Sequence, residues 1–261
     1  VANPATVPAK VEQNLQQYAR KFKRHLYSDQ DCEMFLQQHF PEYVSVFRRL
    51  HGAHKADLFR YAVLYVHGGV YMDIKIKLVR PLEEVVDLSR NAIYTTLSIF
   101  PGTLFQALIA TPPRQSLFLS LMSYVRDHVQ EAAQQYNIFT SDMHHQIRED
   151  AAGAPVGPLQ EGEYTSKSDP SLTYILMQEV CFTDAANCPM GFDRYNRCCF
   201  VSMRGAVQFR SRYHDYPWKS SPKSIPRLLH QIYIHPHAKS PIPPKVENNL
   251  KQFAGNFERR V

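Results

Sequence analysis

The clearest pattern of apolar and polar positions lies in residues 54–78, HKADLFRYAVLYVHGGVYMDIKIKL. An apolar run with helical spacing over 55–67 ends at Gly68-Gly69, where the spacing changes to alternation over 70–78. The even positions of that alternation are apolar and the odd ones are polar, apart from Tyr71. The sequence therefore predicts a helix, a glycine corner and a strand with one buried face. The opposite face of this strand carries Asp73, Lys75 and Lys77.

The remaining periodic segments predict helices in alternation with strands. Helices are predicted over 8–21, 43–50, 55–67, 115–129 and 171–180. A further helix is predicted from an N-cap at Ser28 or Asp29 to Pro41. Residues 130–150 are predicted to form two helical pieces with a break near 137–141. Strands are predicted over 22–27, 70–78, 92–99 and 104–110, and as a hairpin of 199–202 with 206–209. This alternation is typical of an α/β sheet protein.

Two segments near the ends of the chain resemble each other. Residues 7–26 and 242–261 are identical at 10 of 20 aligned positions without a gap. The strand-like stretch 228–234 precedes the second segment and has no counterpart before the first. We therefore predict that 1–224 is one unit lacking its first strand and that 225–261 begins a second repeat unit. We expect 228–234 to complete the first unit's sheet, because an unpaired apolar strand promotes aggregation.

Composition and charge narrow the classes of function. The 261 residues are 44% hydrophobic and 12% aromatic, which is enough for the core of a soluble globular protein. The formal net charge of +6 suggests an anionic ligand, but no basic run is interleaved with stacking aromatic residues, so we do not expect nucleic acid binding. No stretch approaches the roughly 20 apolar residues of a membrane span. The sequence also has no Gly-x-Ser-x-Gly, P-loop or His-Glu-x-x-His pattern.

Four of the five cysteines fall within 19 residues, at Cys181, Cys188, Cys198 and Cys199. Their spacing lacks the paired C-x-x-C arrangement of zinc knuckles. One or two disulfides, joining Cys181 or Cys188 to Cys198 or Cys199, are therefore favoured over free buried thiols. Disulfides favour the secretory pathway or the Golgi lumen, while the lack of an Asn-x-Ser/Thr sequon weighs mildly against that address.

The block from Asp57 to Asp73 carries a resemblance to a known family. Asp57-Leu58-Phe59-Arg60-Tyr61 followed by Gly68-Gly69-Val70-Tyr71-Met72-Asp73 resembles the DXD-containing sugar-nucleotide glycosyltransferases, typified by the yeast Golgi mannosyltransferase that initiates outer chains and by the clostridial glucosylating toxins. The stretch 225–233, IPRLLHQIY, looks like the opening strand of that family, and Gly157-Pro158 lies where the family often has a Gly-Pro loop.

The resemblance implies a GT-A fold, in which a Rossmann-like mixed sheet flanked by helices binds a nucleotide sugar. It further implies that the sugar is transferred with retention of anomeric configuration. The donor would be a UDP- or GDP-sugar. The acceptor, whether a glycan, a protein or a lipid, is not identified by the sequence.

Matched position by position, the resemblance implies donor contacts for the 57–73 block. Asp57 and Arg60 would hold the sugar or ribose of the donor, and Asp73 would bind the ribose or a metal ion. Tyr61 and Gly69 belong to the same donor-binding set. A leaving diphosphate needs cations and hydrogen-bond donors where charge develops, and a sugar needs fixed carboxylate and guanidinium partners. Arg60, Asp73 and Lys75 are the catalytic residues in this interpretation.

The resemblance places further donor contacts near the end of the chain. His230 and Gln231, within the 225–233 stretch, would lie at the edge of the nucleotide. His214 and Trp218 look like the closing His/Trp loop of the family and would cover the diphosphate.

Lys75 departs from the family pattern, in which a second Asp two residues after the first binds Mn²⁺ or Mg²⁺. An ammonium group and a divalent ion about 4 Å apart would repel each other by roughly 8 kcal/mol at an effective dielectric constant near 20. Three explanations stay open. Lys75 swings away while Asp73 binds metal with other ligands, Lys75 replaces the metal and neutralises the diphosphate, or Lys75 pairs with Asp73 in a site that no longer catalyses.

Two functions of different classes follow from these observations. The leading hypothesis is a retaining glycosyltransferase that uses a nucleotide-diphosphate sugar. The second is a catalytically silent module of a tandem array that binds a nucleotide sugar or a glycan. Turnover of a nucleotide sugar to free nucleotide would separate the two.

Overall fold

The computed structural model describes residues 7–135, 137–182, 187–189, 191–192 and 198–211, and the backbone of 230–234. Its strands form one mixed sheet with buried apolar clusters and helices on both faces. This arrangement confirms the predicted α/β class and is compatible with a GT-A-like fold. Within the described ranges, the structure has no helix with the length and apolar character needed to cross a membrane.

The helices follow most of the predicted segments. In chain order they are α1 (Ala9–Tyr18), α2 (Asp29–His39), α3 (Val44–Arg49), α4 (Ala53–His67), α5 (Leu82–Val85), α6 (Ser116–Asp127), α7 (Val129–Gln134) and α8 (Asn137–Asp150). Ser28 caps α2 as predicted, because its hydroxyl accepts a hydrogen bond from Asp31 N while the Asp31 carboxylate accepts one from Ser28 N.

The strands are β1 (Lys23–Tyr27), β2 (Gly69–Asp73), β3 (Lys77–Leu78), β4 (Ala92–Leu97), β5 (Leu108–Thr111), β6 (Gly162–Thr165), β7 (Thr173–Phe182), β8 (Cys198–Met203), β9 (Ala206–Arg210) and β10 (His230–Ile234). They are ordered β1-β10-β2-β5-β4-β7-β8-β9-β3, with β6 beside β7. Because β5 is antiparallel to β2 and β4, and β4 is parallel to β7, the strands β2, β4 and β7 share one direction. We call the sheet edge at their carboxyl ends the site edge.

Helices cover β2 on both faces, so its central residues are buried irrespective of the direction in which they point. Tyr71 belongs to the apolar cluster formed with α2, α3, α4 and α6 to α8. Val70 and Met72 belong to the opposite cluster, which contains residues of α1 and α5. Tyr71 is the exception to the polar odd positions of this strand. Burial of β2 on both faces explains why an aromatic residue stands there.

The predicted continuous strand over 70–78 is wrong in one respect, because the strand stops at Asp73. A turn follows, in which Ile76 N donates a hydrogen bond to Asp73 O over 3.1 Å. The chain then enters β3, which pairs with β9 rather than continuing beside β10. The alternation survives the turn, because Ile74, Ile76 and Leu78 are buried. Asp73 consequently lies at the end of β2 on the site edge.

The predicted helix over 171–180 is also wrong, because these residues form most of β7. Strand β7 pairs in parallel with β4 and antiparallel with β8. Tyr174 and Leu176 enter one apolar cluster while Ile175 and Met177 enter the other. A strand buried on both faces shows an unbroken apolar run, which periodicity alone does not distinguish from a buried helix.

Two smaller boundaries also differ from the predictions. The interruption expected near 137–141 lies earlier, because α8 already begins at Asn137. The strand expected over 104–110 begins only at Leu108, and Leu104 makes an isolated bridge to Leu97. The predicted hairpin at 199–209 is confirmed as β8 and β9, joined by Arg204 and Gly205 at φ values of 51° and 77°.

Helix α1 packs on the sheet through residues that the terminal repeat preserves. Its buried contacts come from Val11, Asn14, Leu15 and, just beyond the helix, Ala19 and Phe22. Asn14 donates to Leu78 O over 2.8 Å and accepts from Leu78 N over 2.9 Å. The five residues aligned with these in 242–261 are identical, namely Val246, Asn249, Leu250, Ala254 and Phe257. The repeat thus keeps the residue types by which α1 docks.

Strand β10 contains part of the predicted strand 228–234. Its backbone lies between β1 and β2 and is antiparallel to both. The division of the chain into a unit at 1–224 and a second unit at 225–261 stays a prediction.

Two disulfides confirm the predicted cysteine pairing. Cys181 is bonded to Cys199 across β7 and β8, and Cys188 is bonded to Cys198. Cys32 is a buried free thiol. One bridge joins β7 directly to β8, and the other ties Cys188 to the first residue of β8.

The glycine corner between α4 and β2 is sterically enforced. Gly68 ends α4 with φ of 63°, and its N–H donates to Leu64 O over 2.8 Å. A Cβ atom at this position would lie only 2.5 Å from the backbone nitrogen of Pro113. The corner therefore needs glycine both for its backbone conformation and for its close contact with the segment that follows β5.

We predict that Gly68→Ala destabilises the protein by at least about 2 kcal/mol more than Gly102→Ala, because backbone overlap is added to the strain of positive φ. Gly102 is a matched control, since its φ is 73° but no atom lies within 4 Å of a Cβ placed there. Urea unfolding of both variants measures the difference. Equal losses of unfolding free energy would show that the corner can relax away from Pro113.

Candidate functional site

The candidate site is built around the carboxylate of Asp73 at the site edge. Asp73 N donates to Ala107 O over 2.8 Å, which fixes the last residue of β2 beside the segment that enters β5. The Asp73 side chain is 13% exposed. Its Oδ1 accepts a hydrogen bond of 2.7 Å from the Tyr71 hydroxyl. Asp73 is thus a fixed, partly accessible carboxylate.

Arg60, on α4, lies behind Asp73 and is almost fully buried. Its Nη2 lies 2.8 Å from Asp57 Oδ1, 3.8 Å from Asp73 Oδ1 and 3.2 Å from the Tyr71 hydroxyl oxygen. Its Nη1 donates to the backbone oxygen and to Oε1 of Gln106, both over 3.0 Å. A single guanidinium group therefore connects α4, β2 and the segment before β5.

We call Asp57, Arg60, Tyr71, Asp73 and Gln106 the Arg60 cluster. The sequence interpretation did not assign a role to Tyr71 or Gln106. Two signals could have identified them: Tyr71 breaks the alternation of β2, and Gln106 is the one polar residue in the apolar run Leu104 to Ala110. Tyr71 both accepts a hydrogen bond from Arg60 and donates one to Asp73, so it transmits the position of one to the other.

Asp57 is buried, and burial is the main reason that its pKa is raised to about 6. The positive charge of Arg60 opposes this rise, while the negative charge of Asp73 adds to it. Apart from its contact with Arg60, neither carboxylate oxygen has a hydrogen-bond partner among the described residues. The buried, ionised Asp57 carboxylate therefore lowers the stability of the folded protein, as is common at functional sites.

Lys75 lies in the turn after β2, beside Asp73. Its Nζ is 3.8 Å from Asp73 Oδ2, and its side chain is 41% exposed. Arg60 and Lys75 thus flank the Asp73 carboxylate, Arg60 from the buried side and Lys75 from the solvent side. With Asp57 included, two formal positive charges balance two formal negative charges at this point.

The described residues around Asp73 do not fit the divalent ion that the resemblance implies. Both oxygens of Asp73 face a cation, Oδ1 towards Arg60 and Oδ2 towards Lys75. Within the described part of the chain, no group of three or more His, Cys, Asp or Glu side chains could hold a metal ion. Mn²⁺ or Mg²⁺ at Asp73 would therefore have to approach the Lys75 ammonium group without a second carboxylate.

The structure brings together Asp57, Arg60, Asp73 and Lys75 from the predicted set. Tyr61 lies one contact away, because its hydroxyl donates to Phe139 O and accepts a hydrogen bond from Gln106 Nε2 over 2.7 Å. Tyr61 is fully buried, so it braces Gln106 rather than lining the accessible part of the site. Gly69 begins β2, about 13 Å of strand away from Asp73, and does not join the cluster.

The remaining predicted donor contacts are less fully described. The backbone of His230 is paired with Asp73, and that of Gln231 is paired with Met72. Both residues thus belong to the strand beside β2, with His230 at the site edge. His214 and Trp218 lie outside the described residues.

The structure thus places a buried ion cluster at the carboxyl end of a strand in a mixed α/β sheet. Residues 9–92 match the family model described as "Glycosyltransferase sugar-binding region containing DXD motif". The match includes α1, α4 and β2, covers about a third of the chain and supports the resemblance to DXD glycosyltransferases carried by the 57–73 block. No curated protein and no solved structure matches the chain significantly.

We predict that Tyr71→Phe lowers the free energy of unfolding by about 1.5 to 3 kcal/mol, because its hydroxyl is bonded to charged groups on both sides. Tyr94→Phe is the matched control, since the Tyr94 hydroxyl also bonds within the protein, but to the backbone of Asp87. We expect the control to lose only about 0.5 to 1.5 kcal/mol in urea unfolding. A Tyr71→Phe loss no larger than the control would contradict the charged role of this hydroxyl.

We predict that the free energy of unfolding of the wild type falls relative to that of Asp57→Asn as the pH rises from about 4 to 7. The folded-state pKa of about 6 exceeds the ordinary value of 3.8, so the folded state keeps its proton while the unfolded state loses it. The stability difference between wild type and variant should shift by about 2 to 3 kcal/mol over this range. Urea unfolding at a series of pH values measures it.

Asp87→Asn provides the opposite control. Hydrogen bonds from Ser89 lower the pKa of the exposed Asp87 carboxyl, so its contribution to stability should grow as the pH rises. The difference in unfolding free energy between wild type and Asp57→Asn could instead stay constant with pH, or change in the same direction as for Asp87→Asn. Either result would show that ionisation of the buried Asp57 carboxyl does not destabilise the fold.

Proposed function

We propose that this chain transfers a sugar from a UDP- or GDP-sugar to an acceptor, with retention of anomeric configuration. The family match supports nucleotide-sugar glycosyltransferase activity in general. The observation that carries the proposal is the Arg60 cluster. It places a partly accessible carboxylate, Asp73, at the carboxyl end of β2 and fixes it through a buried guanidinium group.

In this proposal the members of the cluster have different tasks. Asp73 and Lys75 are accessible, so they would touch the donor, Asp73 at its ribose or sugar hydroxyls and Lys75 at its diphosphate. Arg60 and Asp57 are buried, so we assign them as positioning residues that hold Asp73 and Tyr71 in place. The raised pKa of Asp57 supports this assignment, since a buried carboxyl that lowers stability is typical of sites shaped for function.

The acceptor and the cellular location belong to the same proposal. The acceptor would be a glycan, a protein or a lipid, and the Cys181–Cys199 and Cys188–Cys198 disulfides support an oxidising compartment such as the Golgi lumen.

A silent binding module is the second candidate, and one observation favours it. Lys75 stands where the family carries a metal-binding Asp, and its ammonium group lies within ion-pair distance of Asp73. If this pair only closes the site, the chain would bind a nucleotide sugar without turning it over.

The proposed activity is tested by incubating the protein with a panel of UDP- and GDP-sugars and measuring the release of UDP or GDP. We expect turnover of at least one donor. Arg60→Lys should reduce kcat/KM for that donor by about 10- to 100-fold, because lysine keeps the charge but cannot reach Asp57, Tyr71 and Gln106 together.

Arg126→Lys is the control, since Arg126 pairs at the surface with Asp127 and should leave kcat/KM unchanged. Saturable binding of a nucleotide sugar with no release of nucleotide, by a folded wild-type protein, would favour the silent module. Equal activity of wild type and Arg60→Lys would remove the Arg60 cluster from the mechanism.

A further inference from the structure

We infer that Lys75 takes the place of the divalent metal ion, so that the site binds the diphosphate of its donor without metal. This inference rests on the proposed function, because it assumes that the ligand is a nucleotide diphosphate or its sugar ester. It names the group that neutralises the ligand's negative charge.

The charge of the site supports a role for Lys75 in place of the metal ion. Exchanging the second carboxylate of the family pattern for an ammonium group adds two positive charges, which equals the charge that a divalent ion supplies. The two carboxylates of Asp57 and Asp73 outnumber the single Arg60 guanidinium group that lies between them. Lys75 balances the second carboxylate and is the accessible cation that an incoming anion meets.

The position of Lys75 also suits contact with a phosphate group. Lys75 is at the site edge, in the turn directly after Asp73, and its side chain is 41% exposed. Arg60 is only 4% exposed, so it cannot meet a ligand without displacing other residues. An ammonium group on a flexible stem can swing from Asp73 to a phosphate oxygen and back, which a buried guanidinium group cannot do.

The described residues around Asp73 also lack a ligand set for a metal ion. The Asp73 oxygens face Arg60 and Lys75, and the described residues provide no third ligand. A lysine that contacts phosphate as a point charge removes the need for such ligands. The sequence departure and the structure thus agree on one arrangement.

The test measures the binding of UDP and of GDP by isothermal titration calorimetry, in excess EDTA and in Mn²⁺. We expect the wild type to bind at least one of them in EDTA, with an affinity that Mn²⁺ changes by less than about threefold. Lys75→Gln should weaken that binding by about 10- to 100-fold, and Lys75→Arg should restore most of it. Lys77→Gln removes the same charge two residues further on and should have no such effect.

A further variant converts the site to the family pattern. Lys75→Asp should abolish binding in EDTA and recover it in Mn²⁺, since a D-x-D pair requires the ion. Because the Lys75 side chain is 41% exposed, we expect Lys75→Gln, Lys75→Arg and Lys75→Asp to keep the far-UV circular dichroism of the wild type.

The outcomes separate the two levels of the proposal. Wild-type binding that disappears in EDTA and returns in Mn²⁺ overturns the role of Lys75 but leaves the proposed function intact. Equal affinity of wild type and Lys75→Gln in EDTA would also overturn the role of Lys75 and leave the proposed function intact. If Lys75→Asp alone binds or turns over a donor, Lys75 blocks the site. If no variant binds UDP or GDP, the proposed function fails and the inference fails with it.

Discussion

The site depends on the burial of one guanidinium group between two carboxylates. A buried arginine is tolerated only where its charge and its donors are matched, and Arg60 finds these partners on three segments that are far apart in sequence. Helix α4 supplies Asp57, strand β2 supplies Tyr71 and Asp73, and the segment before β5 supplies Gln106. Losing any one of these partners would leave a charge or a polar group unmatched in the interior, so the cluster fixes the mutual position of the segments.

The glycine corner makes this meeting of segments possible. Gly68 ends α4 in a backbone conformation that other residues adopt at a cost, and it packs directly on the backbone of Pro112 and Pro113. Strand β2 therefore starts at once beside β5 and runs back along α4. Asp73, at its far end, returns to the level of Arg60. The sharp turn at one end of β2 thus controls the geometry of the carboxylate at the other end.

Lys75 lies on the accessible side of the site and is not part of its buried framework. The contacts of Arg60 with Asp57, Tyr71 and Gln106 do not involve Lys75. The glycosyltransferases that the chain resembles often rely on a divalent ion, whereas the accessible groups here are one carboxylate and one ammonium group. Such a site is electrostatically complementary to a ligand that carries both hydroxyl groups and negative charge, as a nucleotide sugar does. The buried Arg60 cluster fixes the geometry of the site, and the exposed Lys75 adds the charge that balances Asp73.

The sequence alone determined the features that depend on neighbouring residues. These include α4 and its glycine end, the cap of α2, the hairpin at Arg204-Gly205 and the proximity of Asp57 to Arg60, because helix spacing and turn chemistry act over a few residues. Tertiary structure decided the rest. Residues 173–182 became a strand because β4 pairs with one of their edges and β6 and β8 pair with the other, and Gln106 joined the site because Arg60 required an acceptor there. The stretch 54–78 predicted a carboxylate at the end of a strand. Its partners were chosen by the burial of charge, a requirement that acts through space and leaves little trace in local periodicity.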